Sequence, residues 1–349
     1  MNSVKPNHPK NLDHYVFKHK SLPEHRGFTF VHLSDPHLFS PDDVRLRDIL
    51  NKRMFGYLSW YLHRGREHRD VVLSALLDDM RSVMPDHIVV TGDLTHLGLP
   101  KEFLMAEKLL KSLGPPLKVM VIPGNHDTYI KTAWEQTFRL WSDYMASDAD
   151  CFNTQGSGKG LHAVFPTLRV RKGIALIGVS TAHPTPPFFA TGSIGGIQLE
   201  RLKNILIETQ RRGLTRVILI HHPPIPGAVS WRKRLTDQPA FQELIALHGA
   251  DLILYGHTHH ISSGHLTTPI GRVLSLGIPS ATAFGRTPSR RARYHLFSLT
   301  QNADRLELFL SVRVYSSAMG RFVDEEDMRQ IKLPRQTGWD ASCWNSEKL

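Results

Sequence analysis

The sequence has little cysteine. Cys151 and Cys343 are the two cysteines among its 349 residues, and they lie far apart in neither a metal-type nor a redox-type spacing. Disulfide scaffolds and cysteine zinc sites need several cysteines at short, regular intervals. The sequence therefore argues against both, and we expect a reducing, cytoplasmic location.

Long hydrophobic runs are also missing. No stretch approaches the roughly 18 consecutive apolar residues of a membrane-spanning helix. The first twenty residues are polar and lack the apolar segment of a secretory signal peptide. We therefore predict a cytoplasmic chain, with peripheral contact on the inner face of the membrane as the alternative.

The charge balance is strongly basic. The formal net charge is +11, and 41% hydrophobic with 21% charged residues is an ordinary composition for a folded protein. A basic surface attracts polyanions such as nucleic acid, anionic lipid headgroups or phosphorylated substrates. Charge alone does not choose among these partners, and it is also typical of a surface that only confers solubility.

Short apolar runs rich in Val and Ile recur along the chain and predict buried strands. Helix-like stretches lie between several of them, and this alternation predicts a layered α/β (α+β) architecture. The predicted strands are 28–33, 87–90, 119–122, 174–179, 217–220 and 252–255, and the predicted helices are 70–83, 100–113 and 197–212.

The C-terminal part has a different pattern. Two β-prone stretches, 293–299 and 305–314, flank the turn-like segment 301–304 and predict an antiparallel pair. Polar segments with few apolar residues lie at both ends of the chain. We therefore predict a polar extension over 1–25, one domain over 26–315 and a polar tail over 316–349.

A basic amphipathic insertion spans about residues 40–69. Its apolar residues have the spacing of one helix face, and arginines and lysines surround them. One interpretation is a helix packed on the domain with a solvated basic face. The other is a cap or membrane-surface element beside the active site. The apolar residues are Leu46, Ile49, Leu50, Tyr57, Leu58 and Tyr61.

Metal-ligating side chains follow five of the predicted strands. Ligands of open α/β sheets bind at the carboxyl ends of strands, so we expect these clusters to lie together. Carboxylate, imidazole and amide ligands suit borderline divalent ions such as Mn, Fe, Co or Zn. The clusters are Asp35-Pro36-His37, Gly92-Asp93, Gly124-Asn125-His126-Asp127, His221-His222 and Gly256-His257-Thr258-His259.

This order of motifs resembles the calcineurin-like metallophosphoesterase superfamily, whose pattern is D-x-H, GD, GNH, H and GH-x-H. The resemblance covers residues 28 to about 260. It implies a four-layered β-sandwich of two mixed sheets flanked by helices, with two divalent ions where the loops of the sheets meet. Mn is the expected metal, with Fe, Co or Zn as alternatives.

The resemblance also implies roles for individual residues. It gives Asp35, His37 and His259 to one metal, and Asn125, His221 and His257 to the other. Asp93 would bridge the two ions, and a hydroxide held between them would attack phosphorus. His221 is preferred over His222 because it stands two residues before a proline.

His126 would stay off the metals, contact the phosphate and protonate the leaving oxygen as the catalytic acid. Asp127 has two interpretations. It could orient the His126 ring through a hydrogen bond, or it could cap a helix that begins at Thr128.

Two substrate classes remain open for such an enzyme. One is a nucleotide-linked lipid, because the sequence is similar to UDP-2,3-diacylglucosamine pyrophosphatases in having a basic, aromatic insertion. The other is a cyclic nucleotide or another small diester, because residues 89–102 and 221–224 resemble class III cyclic nucleotide phosphodiesterases. The sequence favours the lipid by a small margin. The candidate substrate-binding residues are Arg47, Arg53, Tyr57, Trp60 and Arg64.

A nucleic-acid-binding protein or nuclease is an alternative from another class, given the basic surface. The sequence contains no recognised nucleic-acid module, so we expect nucleic acid not to be the partner. The sequence makes no prediction of the oligomeric state.

Overall fold

The computed structural model describes residues 16–18, 27–41, 44–45, 48, 51–59, 69–149, 160–269, 271–302, 305–325 and 329–331. Within these residues the chain forms two mixed β-sheets flanked by helices, as predicted. The strands are β1 (Val16–Lys18), β2 (Phe28–Leu33), β3 (His87–Val90), β4 (Val119–Val121), β5 (Thr167–Arg171), β6 (Ile174–Val179), β7 (Thr215–Ile220), β8 (Leu252–Tyr255), β9 (Ser262–Thr268), β10 (Gly271–Gly277), β11 (Arg293–Asn302), β12 (Arg305–Ser316), β13 (Arg321–Asp324) and β14 (Arg329–Ile331).

Helices connect the parallel strands and cover the outer faces of the sheets. No helix within the described residues is long and apolar enough to cross a bilayer. The α-helices are α1 (Arg53–Ser59), α2 (Asp70–Val83), α3 (Pro100–Leu113), α4 (Ser142–Met145), α5 (Leu161–Val164), α6 (Gly196–Arg211) and α7 (Gln238–His248). The 3₁₀-helices are Trp134–Gln136, Phe138–Trp141, Trp231–Lys233 and Pro288–Arg290.

The first sheet has the strand order β1-β14-β12-β11-β2-β3-β4, with β13 paired to β12. The second sheet has the order β5-β6-β7-β8-β10-β9. Strands β2, β3 and β4 run parallel to one another, and so do β6, β7, β8 and β10. Their carboxyl ends therefore meet at one edge of each sheet.

Alternating side chains divide the second sheet between two apolar layers. In β7, Val217 and Leu219 join the same cluster as the first sheet, α2 and α3. Ile218 and Ile220 instead face the layer formed with α6 and α7. This period-two alternation produces the four-layered β-sandwich that the family resemblance implies.

The predicted elements agree with the structure over most of the core. Strands β2, β3, β6 and β8 and helices α2 and α3 have the predicted bounds. The antiparallel pair β11 and β12 is also confirmed, but the predicted turn is too long. Asn302 still pairs with Arg305, so the first two residues of that turn belong to the strand.

The first sheet extends past the predicted domain bounds. β1 lies within the predicted N-terminal extension, and β13 and β14 lie within the predicted tail. β1 pairs with β14, which pairs with β12. The sheet thus draws on both terminal segments, while the division into domain, extension and tail stays a prediction.

Glu102 organises the connection from β3 to α3. The residue is 2% exposed and stands in the first turn of α3. Its carboxylate accepts hydrogen bonds from the backbone N–H groups of His96, Leu97 and Leu99. Because three buried donors converge on one side chain, the shape of residues 96–99 depends on it.

We predict that Glu102→Ala lowers the free energy of unfolding by about 3 kcal/mol, because buried N–H groups lose their acceptor. Chemical denaturation of the purified variant measures this loss. The matched control is Glu107→Ala on the same helix, where the carboxylate pairs with exposed Lys111 and we expect a much smaller change. Equal losses in the two variants would contradict the role of Glu102.

Candidate metal centre

The candidate centre lies where loops from both sheets meet. The loops after β2, β3 and β4 come from the first sheet, and those after β7 and β8 come from the second. Backbone hydrogen bonds join them across the gap. The N–H of Gly256 donates to the carbonyl of His221 at 3.2 Å, and the N–H of Ala281 donates to that of Ser34 at 2.9 Å.

Five of the predicted ligand residues have left-handed backbone conformations, which L-residues rarely adopt and which cost roughly 1–2 kcal/mol each. They hold their side chains inward at the price of local strain. Hydrogen bonds across the loops offset part of it, such as Asp35 N–H to Gly92 O (2.9 Å) and His37 N–H to Asp93 O (3.0 Å). The five residues are Asp35 (φ 54°), His37 (φ 44°), Asp93 (φ 54°), His257 (φ 67°) and His259 (φ 54°).

Glycines allow the carboxylates to approach the backbone. A Cβ atom at Gly124 would lie 2.2 Å from Oδ1 of Asp93, and one at Gly256 would lie 2.4 Å from Oδ2 of Asp35. Both distances are far below van der Waals contact. Gly92 has a positive φ of +94°, a conformation that favours glycine over other residues.

Asp93 stands between the two halves of the centre. Its Oδ1 accepts a hydrogen bond from the backbone N–H of His126 at 2.7 Å. Its Oδ2 lies 3.3 Å from Nε2 of His221 and 3.8 Å from Nε2 of His37. One oxygen therefore fixes the loop, and the other faces both histidines.

Two groups of side chains could each hold a metal ion, and they share Asp93. The first is Asp35, His37, Asp93 and His259, and the second is Asp93, His221 and His257. Oδ1 of Asn125 lies 3.1 Å from Nε2 of His221 and adds an amide oxygen to the second group. These are the two predicted sets, and their assignment as metal ligands stays a prediction.

Hydrogen bonds to backbone carbonyls fix two of the rings. Nδ1 of His221 donates to the carbonyl of Thr91 at 2.7 Å, and Nδ1 of His37 donates to that of Thr95 at 3.2 Å. A carbonyl only accepts, so in the neutral rings the lone pair is on Nε2. Nε2 of His257 lies 3.0 Å from the carbonyl of Lys233, which leaves Nδ1 as its candidate ligand atom.

The inner face of the centre therefore consists mostly of hydrogen-bond acceptors. Nε2 of His37 lies 3.0 Å from Nε2 of His259, which in turn lies 3.2 Å from Oδ1 of Asp35. Lone pairs and carboxylate oxygens at such distances repel one another unless positive charge lies between them. The donor set thus fits divalent cations.

The pKa shifts report the same attraction for positive charge. Burial lowers the pKa of His221, but Asp93, Asp35 and the carbonyl of Thr91 together outweigh it and raise the value to about 9. Burial opposes ionisation of Asp35, but His259, His221 and Ser34 together outweigh it, and the pKa of that carboxyl is lowered. Burial lowers the pKa of His257 well below its usual value, which keeps this ring neutral and able to bind a cation.

His126 lies beside the two groups, with its ring centroid 4.7 Å from that of His37. Nδ1 of His126 donates to the carbonyl of His96 at 2.6 Å, and the two rings stack at 5.4 Å. Nε2 is therefore the nitrogen available for proton transfer. A group of His37, His96 and His126 also has metal-binding spacing, and it shares His37 with the first group.

Both interpretations of Asp127 are wrong. Its carboxylate neither contacts the His126 ring nor caps a helix, because it accepts from the backbone N–H groups of Gly124 (2.8 Å) and Thr95 (2.9 Å). It ties the loop after β4 to the loop after β3. Burial, and then the charge of Asp93, raise its pKa to about 7.

His222 packs its ring against that of His257, with centroids 4.4 Å apart, but its nitrogens have other partners. Its Nδ1 lies 2.7 Å from the hydroxyl of Thr181, and its Nε2 lies 3.1 Å from the carbonyl of Ala190. Both nitrogens are engaged by neighbouring loops. The structure thus places His221, not His222, against Asp93 and Asn125.

The predicted substrate-binding residues fall into two classes. Arg47, Trp60 and Arg64 lie outside the described residues. Arg53 is buried and its guanidinium donates to the carbonyls of Leu97 and Gly98, so it supports the loop after β3. Tyr57 is half-buried with its ring 6.3 Å from that of Phe39. Contact of any of these residues with substrate stays a prediction.

Sequence reasoning missed the groups that orient the ligands. Thr91, Thr95 and His96 act through their backbone carbonyls, which carry no residue-type signature. His96 is the exception, because its side chain is itself a candidate functional group. It stands three residues after Asp93, and its ring stacks on that of His126.

Comparison with known proteins identifies the family. The model of the family described as "Calcineurin-like phosphoesterase" matches residues 28–260. A crystal structure of a dimetal phosphatase from Danio rerio superposes with a TM-score of 0.54 at 13% identity, covering 88% of this chain and 99% of that one. At this identity the likeness concerns the fold alone.

Two curated relatives carry names of phosphodiesterases. "Glycerophosphodiester phosphodiesterase GpdQ" of Enterobacter lignolyticus is 34% identical over 97 residues, 28% of each chain. A "Probable cyclic nucleotide phosphodiesterase" of Rhodococcus erythropolis is 25% identical over 236 residues, 66% of this chain and 64% of the relative. The matches thus span less than two thirds of either relative. The family match over most of the chain is decisive, and the chain belongs to the calcineurin-like phosphoesterase family.

Proposed function

We propose that this chain is a metal-dependent phosphodiesterase that hydrolyses small phosphodiesters. The observation that carries the proposal is the position of Asp93, with one carboxylate oxygen facing both His37 and His221. Two acceptor groups that share a carboxylate suit a pair of divalent ions. The names of the two curated relatives support a diester as substrate.

The side chains that would hold the ions form two sets around Asp93. When bound, a pair of divalent ions supplies positive charge that stabilises the phosphoryl oxygens and lowers the pKa of a water molecule. The chain itself supplies the geometry, since carbonyls orient the rings and left-handed loops aim them inward. The proposed ligands are Asp35, His37 and His259 for one ion, and Asn125, His221 and His257 for the other.

His126 would provide the proton for the leaving group. The carbonyl of His96 accepts from its Nδ1–H at 2.6 Å, and this bond also stabilises the protonated ring. The proton at Nε2 is then the one that can be transferred. Because His126 N–H donates to Asp93, the acid and the proposed bridging carboxylate are held in one fixed relation.

The nucleotide-linked lipid favoured by the sequence is the competing substrate. Its support is the insertion at about 40–69, most of which lies outside the described residues. Neither curated relative described above carries a name of that kind. We therefore propose the small diester first and keep the lipid as an arm of the substrate test.

We predict that Mn²⁺ stabilises the protein by about 3 kcal/mol when its concentration is 100 times the dissociation constant. Asp93→Asn should lose most of this gain, because it weakens both proposed ligand sets. Thermal unfolding with Mn²⁺ and with EDTA measures the effect. Asp148→Asn is the control, since Asp148 binds Arg171 away from the centre and should leave the gain intact.

We predict that His126→Ala keeps the Mn²⁺ stabilisation and lowers kcat by about 10²- to 10⁴-fold, as expected for loss of a general acid. Steady-state kinetics on an aryl phosphodiester, together with metal analysis, tests this. His248→Ala is the matched control. His248 is the last residue of α7, and this variant should be fully active. Loss of bound metal in His126→Ala would show that His126 is a ligand and contradict the assignment.

The substrate is tested by comparing kcat/KM of the Mn²⁺-loaded protein for four compounds. They are a glycerophosphodiester, a cyclic nucleotide, an aryl phosphomonoester and UDP-diacylglucosamine in detergent, with Asp93→Asn as the background. We expect the first two to exceed the others by at least about tenfold, a difference of roughly 1.4 kcal/mol in transition-state binding. If kcat/KM for release of UMP from the lipid exceeds kcat/KM for both diesters, the small-diester proposal is overturned.

A further inference from the structure

A cluster of exposed apolar side chains lies beside the candidate metal centre. We name it the aromatic rim and define it by five residues: Met54 (50% exposed), Phe55 (39%), Leu58 (53%), Phe188 (68%) and Trp231 (57%). Single exposed apolar residues are normal on a protein surface, whereas a contiguous group marks an interaction site.

Ring contacts join three distant parts of the sequence at this surface. The rings of Phe55 and Phe188 lie 4.8 Å apart, and those of Phe189 and Trp231 lie 5.3 Å apart. Phe188 and Phe189 are adjacent in the chain. One surface therefore runs from α1 through the loop 185–190 to the 3₁₀-helix Trp231–Lys233.

Polar bonds beneath the rings hold these three segments together. Lys52, just before α1, donates through Nζ to the carbonyl and the hydroxyl of Thr185, each at 2.8 Å. The N–H of Ala190 donates to the carbonyl of Arg232 at 2.9 Å. Hydrogen bonds therefore fix the three segments that carry the aromatic rim relative to one another.

The same segments touch the metal centre from outside. The carbonyl of Gly56 lies 3.4 Å from Nε2 of His96, and the carbonyl of Lys233 lies 3.0 Å from Nε2 of His257. The aromatic rim therefore flanks the centre on the side of His96 and His257.

Basic residues accompany the apolar ones. Arg232, Lys233 and Arg234 are exposed, and the guanidinium of Arg232 lies 5.2 Å from the ring centroid of Trp231. The whole chain carries a net charge of +11. Aromatic side chains bordered by cations are the composition of surfaces that insert at the interface of anionic membranes.

Phe188 is exposed although its backbone conformation is strained. Its backbone is left-handed, with φ 68°, a conformation that is a genuine outlier for a bulky side chain. The side chain is 68% exposed, so its contact with the Phe55 ring leaves most of it open to solvent. Strain of this kind persists where the surrounding structure fixes it and where function uses it.

We propose that the aromatic rim docks this protein on an anionic phospholipid surface, with the metal centre at the edge of the contact. A second copy of the chain fits less well, because a two-fold contact would bring the basic segment 232–234 of both copies together. Five side chains are also far fewer than the roughly 20 residues per partner of a stable interface. Membrane docking has no such minimum, since affinity grows with each inserted side chain.

The test uses the full chain and the triple variant Phe55→Ser, Phe188→Ser, Trp231→Ser. Sedimentation with vesicles of phosphatidylcholine containing about 30% phosphatidylglycerol should recover the unaltered protein, and the variant should partition at least about tenfold more weakly. Raising the salt to about 0.5 M should weaken binding of the unaltered protein, because the anionic attraction is screened.

A matched control removes the same number of exposed apolar side chains elsewhere. Met84, Leu117 and Leu247 are 63%, 70% and 71% exposed and each precedes a strand, at the edge opposite the metal centre. The variant Met84→Ser, Leu117→Ser, Leu247→Ser should bind vesicles like the unaltered protein. Both triple variants should retain kcat/KM on a soluble diester, and this readout separates docking from the proposed catalytic function.

Three results would overturn the proposal. They are failure of the unaltered protein to sediment with anionic vesicles, equal binding by the rim variant, and equal binding to vesicles of pure phosphatidylcholine. A concentration-dependent dimer that the rim variant loses, with no vesicle binding, would assign the surface to a second copy instead.

Discussion

The Asp93 carboxylate is the constraint around which the centre is arranged. One oxygen is hydrogen-bonded to the His126 N–H, and the other faces histidines from both sheets. Its neighbours are mostly acceptors, so the arrangement is favourable only when positive charge lies among them. The structural features nearby, the left-handed loops, the glycines at 124 and 256 and the carbonyls that orient the rings, all serve to bring acceptors together against their mutual repulsion.

Such a cluster requires a rigid support, because each strained or repelled group would relax if its loop could move. The support comes from buried polar bonds between loops. Asp127 joins the loops after β3 and β4, Glu102 fixes residues 96–99, and Arg53 ties α1 to that same segment. The sandwich supplies the positions of the strand ends, and these three side chains hold the loops between them.

The sequence predicted the fold well, and it predicted which side chains lie together at the strand ends, because both have strong local signals. Buried strands are recognisable as runs rich in Val and Ile, and the proposed ligand residues stand within a few positions after them. The supporting groups could not be predicted in the same way. The carbonyls of Thr91, Thr95 and His96 have no residue-type signal, and the role of Asp127 depends on a loop 32 residues away. The hairpin turn was placed too early because Gln301 and Asn302 are turn-like residues that the ladder nevertheless pairs.

The aromatic rim was beyond sequence reasoning for a related reason. Periodicity identified an amphipathic stretch at 40–69, but Phe188 and Trp231 stand far along the chain and join Phe55 only through the fold. The rim and the centre also share backbone. The carbonyls of Gly56 and Lys233 belong to rim segments, yet they contact the rings of His96 and His257. The aromatic rim and the candidate metal centre are thus parts of one hydrogen-bonded unit.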